Sequence, residues 1–412
     1  MNKCLNLFYF VITFHTLTTL HAGWAEDTLA ELSLDEKIGQ LIMTRAYGLD
    51  EESLPRLSQE AKDRITRHSP QVKNDAHIDD IEDLIKNYHV GNIIFFQGLP
   101  DIQVKLINQY QKISKLPLLV GADYEWGLGM RLQETLSYPK NKMLATLNDA
   151  GIITDVAREI GRQSRIVGVH IPFAPVVDIN TNPHNPVIGS RAFGDTPEVV
   201  TSAALAFQKG IKEAGALSCA KHFPDHGNTS VDSHCALPVV KHSLETFQNC
   251  SWVPYKAMIK QGLEVVMVGH MAASALDDSG YPASLSHNVV TGILRSYLGF
   301  NGLIITDSMR MKGVITLVEP EEAAVLALIA GNDIILDPIN TRATIKAIKQ
   351  AVESKRISEV NINERVLRIL KIKESLNLHA NRFVDEKNVA NLTDNLSQLF
   401  KTLLDEKIKN HH

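Results

Sequence analysis

The densest chemistry in the chain lies in Lys221-His222-Phe223-Pro224-Asp225-His226-Gly227-Asn228-Thr229-Ser230-Val231-Asp232-Ser233-His234, which holds one lysine, three histidines and two aspartates. The apolar run 216–220 leads into it. That is the pattern of a buried strand releasing a polar loop. So many titratable groups at a strand exit are costly to bury without a chemical use. Two chemistries fit. His222, His226 and His234 with Asp225 or Asp232 form a donor set that zinc accepts, although the spacing matches neither HExxH nor a helical histidine pair. Alternatively, Asp232 orients and charges His234, whose imidazole then donates and accepts a proton near neutral pH. A loop stabilised by polar contacts is the bland third reading. Asp307 is the second focus. It follows the apolar residues 303–305 and Thr306 and precedes Ser308-Met309-Arg310-Met311. A carboxylate there is either the cap of the next helix or a nucleophile or base carried on a rigid strand.

The elements that must position these residues alternate regularly. Short apolar runs near 38–43, 89–96, 116–123, 169–175, 216–220, 264–270, 302–307 and 333–336 read as strands. Helical spacing falls between them at 78–88, 102–114, 146–167, 197–214, 244–261, 289–298 and 320–330, and then at 341–354 and 362–376. Ser33 with Glu36 has capping-box spacing, and Asp195-Thr196 precedes the helix expected from Pro197. Continuously apolar strands separated by single helices predict a parallel sheet buried on both faces. The number of units favours an α/β fold of the (β/α)8 TIM-barrel type, with one catalytic domain over residues 26–380 and irregular first strands. Residues 50–75 read as a surface insertion and 381–412 as a helical tail. No glycine-rich phosphate loop follows a strand, which argues against a nucleotide fold. In such a barrel the chemistry sits at the carboxyl ends of the strands. Asp123, Asp178, Lys221, His222, His270, Asp307 and Asp337 all fall there.

Bulk properties narrow the partners. The 412 residues carry a formal net charge of −5 and no basic stretch, so nucleic acid is not an expected partner. A charged start, an apolar stretch over 5–20 and small residues near Ala22 and Ala25 read as a secretory signal peptide over 1–25. His15 and several threonines make that stretch a poor membrane anchor. The expected location is therefore outside the cytoplasm, periplasmic or secreted, with no stable membrane anchor after cleavage. Cys219, Cys235 and Cys250 remain beyond the leader, an odd number that leaves at least one unpaired. Pairing of Cys235 with Cys250 stays open.

Read on through Cys235-Ala236-Leu237-Pro238, the loop resembles the KHFPGHGxTxxDSHxxLP segment of the β-N-acetylglucosaminidases of glycoside hydrolase family 3. The resemblance covers roughly residues 30–375. It implies that His234 is the proton donor, that Asp232 is its partner, and that Asp307, within Thr306-Asp307-Ser308-Met309-Arg310-Met311, is the nucleophile. It further implies that Asp123 and Arg131, in Asp123-Tyr124-Glu125-Trp126-Gly127-Leu128-Gly129-Met130-Arg131, contact the terminal sugar. Arg191 in Val187-Ile188-Gly189-Ser190-Arg191-Ala192-Phe193, with Lys221 and His222, completes the binding set. Two residues depart from the pattern: Asp225 stands where the family has Gly, and Trp126 replaces a Gly.

The activity implied is retaining removal of terminal β-linked N-acetylglucosamine from peptidoglycan fragments or chitooligosaccharides, by a monomer without metal or cofactor. A His-Asp dyad replaces one carboxylate of the usual retaining pair, so the loop must close over the substrate. A neutral imidazole does not repel an anion, which keeps phosphorolysis as an alternative. A β-glucosidase of the same family is a second alternative, expected to carry a further sandwich domain with its acid/base carboxylate. A metal-dependent hydrolase and a catalytically dead sugar-binding protein are further rivals. The presence of Asp307, Asp232 and His234 together argues against the last.

Overall fold

In the computed structural model, residues 23–50, 53–68, 76–233, 236–392 and 394–411 are described. Helix α1 (Trp24–Glu31) precedes α2 (Leu34–Gln40). Ser33 caps α2 in a reciprocal capping box with Glu36. The leader expected over 1–25 lies outside the described residues as far as 22. Trp24 and Ala25, however, belong to the folded part: the Trp24 ring stacks on His379 and Ala25 is fully buried.

Among the described residues eight parallel strands follow: β1 (Ile42–Gly48), β2 (Asn92–Gly98), β3 (Leu119–Ala122), β4 (Ile171–Pro172), β5 (Cys219–Phe223), β6 (Val265–Val268), β7 (Leu303–Thr306) and β8 (Ile335–Leu336). They form an α/β fold with two curled parallel sheets, ordered β4-β3-β2-β1-β8 and β5-β6-β7. Isolated parallel bridges join Ile305 to Ile334 and Val176 to Lys221. One contiguous apolar cluster takes at least one residue from each strand, among them Met43, Ile94, Leu119, Ile171, Cys219, Val265, Leu303 and Ile335. Phe173 fills space beside Gly121, where a Cβ would meet its ring at 2.5 Å.

The first strand differs from expectation. Residues 38–40 remain helical because the capping box starts α2, and β1 runs from Ile42 to Gly48 instead. Its polar Thr44 and Arg45 hide it from a search for apolar runs, yet the whole strand is buried. The helix expected over 146–167 is two, Asn141–Thr146 and Ala150–Ile166, the second capped by Asp149. The strand expected over 169–175 shortens to Ile171–Pro172, since Pro172 and Pro175 lack the N–H that a ladder needs. Pairing with β5 nevertheless continues beyond it: Cys219 N–H donates to the Ala174 carbonyl at 2.8 Å and Val177 N–H to the Lys221 carbonyl at 2.8 Å.

The carboxyl-terminal helix Asn395–His411 is docked against the Ala150–Ile166 helix. Arg162 donates to Ser397 Oγ at 3.0 Å and Gln163 to the Leu392 carbonyl at 3.2 Å, while Leu404 is buried. Among the described residues, no helix is long and apolar enough to cross a membrane.

Candidate active site

The carboxyl ends of β3, β4 and β5 build one ionic lattice. Lys221, on β5, is 2% exposed and its Nζ lies 2.9 Å from Asp123 Oδ1 and 2.8 Å from Glu125 Oε1. Asp123, immediately after β3, also pairs with Arg131. Glu125 receives Arg191 in bidentate fashion, Nε to Oε2 at 2.9 Å and Nη2 to Oε1 at 2.7 Å. Burial opposes ionisation of Asp123, but Lys221 and Arg131 outweigh it and hold the carboxyl well below its usual range. Burial likewise opposes Glu125, and Arg191 with Lys221 brings it down to about 2. Lys221 is desolvated, yet Asp123 and Glu125 raise its affinity for the proton. The lattice therefore stays fully charged at neutral pH. Arg131 keeps its Nε without a partner among the described residues.

Asp178, at the end of the β4 segment, is fully buried and organises the next layer. Its carboxylate accepts from the His222 ring Nδ1 at 2.8 Å, from His222 N–H at 3.2 Å and from His226 N–H at 2.6 Å. With Nδ1–H on Asp178, His222 Nε2 faces Arg191 Nη2 at 3.4 Å. The Lys221–His222 peptide is cis, as are Phe223–Pro224 and Ala174–Pro175.

Asp307 follows β7. Its N–H donates to the Val268 carbonyl at 2.9 Å, and its Oδ1 accepts from Ser308 N–H at 2.7 Å. It does not cap a helix: the next one, Lys312–Ile315, has Met311 at its N-cap. Burial favours the protonated acid, but the charges of His222 and His270, the Ser308 N–H and Lys221 together lower its pKa. His270, at the end of β6, is held by Ser284 Oγ at 2.7 Å from Nδ1 and by the Ser308 carbonyl at 3.0 Å from Nε2. Burial, only partly offset by Asp307, lowers the His270 pKa. Ser308 Oγ donates to Asp337 Oδ2 at 2.7 Å, and Asp337 is in turn paired with Arg45 and Arg310. A carboxylate that accepts one backbone N–H and is drawn towards its ionised form by Lys221 and two neighbouring imidazoles has the chemistry a nucleophile needs.

The loop beyond β5 runs towards β7. Ser233 O accepts from Gly313 N–H at 3.0 Å, which brings the segment beside the short helix that follows Asp307. Asp232 is half-buried there. His234 and Cys235 lie outside the described residues. His226 is spent within the loop, with Thr229 Oγ1 2.5 Å from Nδ1 and Ser233 Oγ 3.3 Å from Nε2. His222 is similarly engaged by Asp178 and Arg191. The two described histidines of the three-histidine set thus have hydrogen-bonding partners of their own.

The expected binding residues Asp123, Arg131, Arg191, Lys221 and His222 are brought together. Sequence reasoning misses Glu125 as a site residue, although it sits in the same quoted segment as Asp123 and links Lys221 to Arg191. It finds Asp178 and His270 only as polar strand ends. Trp126 faces the ammonium of Lys140, 5.0 Å from the ring centroid. Asp225 does not use left-handed backbone, the property by which Asp would stand in for Gly; its side chain is employed instead, as described below.

Parallel strands that present matched carboxylates, cations and imidazoles at one end define an α/β protein with a polar, charged site at that end. The chain belongs to glycosyl hydrolase family 3: the pattern of the Glycosyl hydrolase family 3 N terminal domain matches residues 33–372. It is 32% identical to beta-hexosaminidase A of Pseudoalteromonas piscicida over 395 residues, which is 87% of this chain and 64% of that one. It is 34% identical to beta-hexosaminidase LpqI of Mycobacterium tuberculosis over 307 residues, 71% of this chain and 78% of that one. A solved glycoside hydrolase family 3 beta-N-acetylglucosaminidase from a Paenibacillus species superposes with a TM-score of 0.80 at 33% identity, covering 91% of this chain and 69% of the other. The chain spans 64% of the length of the Pseudoalteromonas protein and 60% of that of a Cellulomonas fimi beta-N-acetylglucosaminidase/beta-glucosidase.

Proposed function

We propose that this chain is a retaining β-N-acetylhexosaminidase that removes terminal β-linked N-acetylglucosamine from peptidoglycan fragments or chitooligosaccharides outside the cytoplasm. The carrying observation is Asp307: an ionised, non-capping carboxylate at a strand end, within electrostatic reach of Lys221 and His222 of the sugar-binding lattice. Beta-hexosaminidase names among relatives at 32% and 34% identity support the substrate class. The strand order, with bridges between Ile305 and Ile334 and between Val176 and Lys221, supports a closed (β/α)8 barrel as the scaffold.

In this reading Asp123 accepts from sugar hydroxyls while Arg131, Lys221 and Arg191 donate. Asp307 attacks the anomeric carbon as the glycosidic C–O bond breaks, and His234 gives its proton to the departing oxygen. His234, held by Asp232, then takes a proton from water; the hydroxide displaces Asp307 and releases the sugar with retained configuration. The test is hydrolysis of aryl β-N-acetylglucosaminide against aryl β-glucoside, with and without phosphate and chelator. Preference for the N-acetyl substrate, unaffected by chelator, with free sugar as product, is expected. Glucoside preference, chelator sensitivity or a sugar phosphate as main product would each replace the proposal by one of its alternatives.

A further inference from the structure

The loop that carries Asp232 and His234 has an anchored root. Asp225 is 1% exposed and lies three residues beyond His222. Its Oδ1 accepts from Gly227 N–H at 2.8 Å, within the loop, and from Ile179 N–H at 3.2 Å, in the segment after β4. Its Oδ2 accepts from Ser251 Oγ at 2.6 Å, at the end of the helical turn Phe247–Ser251. One side chain thus ties the loop to itself and to two other parts of the chain. The contact is close: a Cβ on Gly227 would meet the Ile179 carbonyl at 1.9 Å. Beyond this root the loop rises to Val231, which is 40% exposed. Among the described residues it next meets the rest of the chain where Ser233 joins Gly313, and then where Ala272 N–H donates to the Pro238 carbonyl at 2.9 Å and Val240 N–H to the Ala272 carbonyl at 2.8 Å.

Resting on the function proposed above, we propose that Asp225 is a positioning residue that clamps the root of the acid/base loop, so that Asp232 and His234 are delivered to the leaving group from a fixed base. The clamp does not need a charge. A protonated Oδ2, or the amide of Asn, donates to Ser251 Oγ, and Ser251 then donates to His242 Nδ1, which already lies 3.3 Å away. Oδ1 keeps both backbone N–H groups throughout. Glycine, the residue of the resembling loop, has no atom to offer and leaves Ile179 N–H, Gly227 N–H and Ser251 to find other partners. An unclamped root misplaces the proton donor without altering Asp307 or the sugar lattice. The loss therefore falls on substrates whose leaving group needs a proton, because general acid assistance contributes about 100-fold or more there and almost nothing for a leaving group that departs as a stable anion.

The experiment compares Asp225→Gly, Asp225→Asn and Ser251→Ala on N,N′-diacetylchitobiose and on 2,4-dinitrophenyl β-N-acetylglucosaminide. For Asp225→Gly, kcat/KM is expected to fall about 30-fold on the disaccharide and less than about threefold on the dinitrophenyl substrate. Asp225→Asn is expected to recover most of the disaccharide rate, and Ser251→Ala to show the same split at smaller size. Equal losses on both substrates, or no loss on either, in variants whose thermal midpoint shows them folded, overturn the clamp. Wild-type protein inactive on both substrates overturns the underlying functional reading instead.

Discussion

Lys221 and Asp232 belong to one continuous segment, yet they are held by opposite means. Lys221 is sealed between Asp123 and Glu125 in a lattice where each charge meets an opposite one on a different strand end. Asp232 rides on a loop that is pinned at its root by Asp178 and Asp225 and at its far side by Gly313 and Ala272, and is half-buried between. Under the proposed function the lattice is preorganised: its donors and acceptors are in place before a sugar arrives, which is where electrostatic stabilisation costs least. Under the proposed function the loop has a different task, since a proton donor must approach a leaving group only after the sugar is seated. Asp307 stands close to both, at a strand end within electrostatic reach of Lys221 and ahead of the short helix whose Gly313 N–H meets Ser233.

The comparison breaks most sharply at Asp307. Asp307→Ala should lower kcat on both activated and natural substrates by on the order of 10,000-fold or more, because both steps pass through that carboxylate. Steady-state kinetics on the two substrates measures this. In the lattice, Glu125→Ala strips a buried anion from both Lys221 and Arg191. Breaking a buried pair in this way costs about 3–5 kcal/mol, so the variant should show a lower denaturation midpoint and weaker binding of every substrate regardless of leaving group. In the loop, His234→Ala should act the other way: a fold that is unchanged by circular dichroism, and a loss of about 100-fold or more on a disaccharide with far less on a dinitrophenyl glycoside. Finding the leaving-group split in Glu125→Ala and not in His234→Ala would reverse the assignment of the two regions.

The smallest expected effect concerns the junction. Burial and the charge of Asp178 push the Asp225 carboxyl up from an ordinary 3.8 to about 7. Around it stand Asp178 from the β4 segment, His222 on β5, His226 in its own loop, and His242, Cys250 and Tyr255 from the segment that follows. Between those two values the native state holds a proton that the unfolded chain has released. Stability therefore falls as pH rises from about 4 to about 7 and levels off above. Asp225→Asn removes that dependence. Relative to wild type, the variant should gain stability from pH 5 to pH 8, by at most about 3 kcal/mol, as read from urea midpoints at the two values.

Much of this is legible in the residues alone because strand ends advertise themselves. Apolar runs that stop at Asp123, Lys221, His270 and Asp307 place those side chains on one face by their spacing. β1 escapes a search for apolar runs because Arg45 points inward to pair with Asp337, and a buried ion pair erases the apolar signature of a strand. β4 is shorter than its apolar run because its prolines cannot sustain a ladder. Glu125 gives no signal of its own, since its role depends on Lys221 and Arg191, which come from distant parts of the chain. Asp225 reads in the sequence as a backbone substitute for glycine. Its carboxylate contacts with Ile179 and Ser251 exist only once the β4 and β5 exits are side by side.

The central claim is that Asp307 becomes covalently glycosylated and that the loop then releases it. The direct test is to mix His234→Ala protein with 2,4-dinitrophenyl β-N-acetylglucosaminide, quench in acid and map the peptides by mass spectrometry. One N-acetylglucosaminyl ester on Asp307, accumulating because the deglycosylating base is gone, is the predicted result. An adduct on another residue, or turnover without any adduct and with an inverted anomeric product, would contradict it.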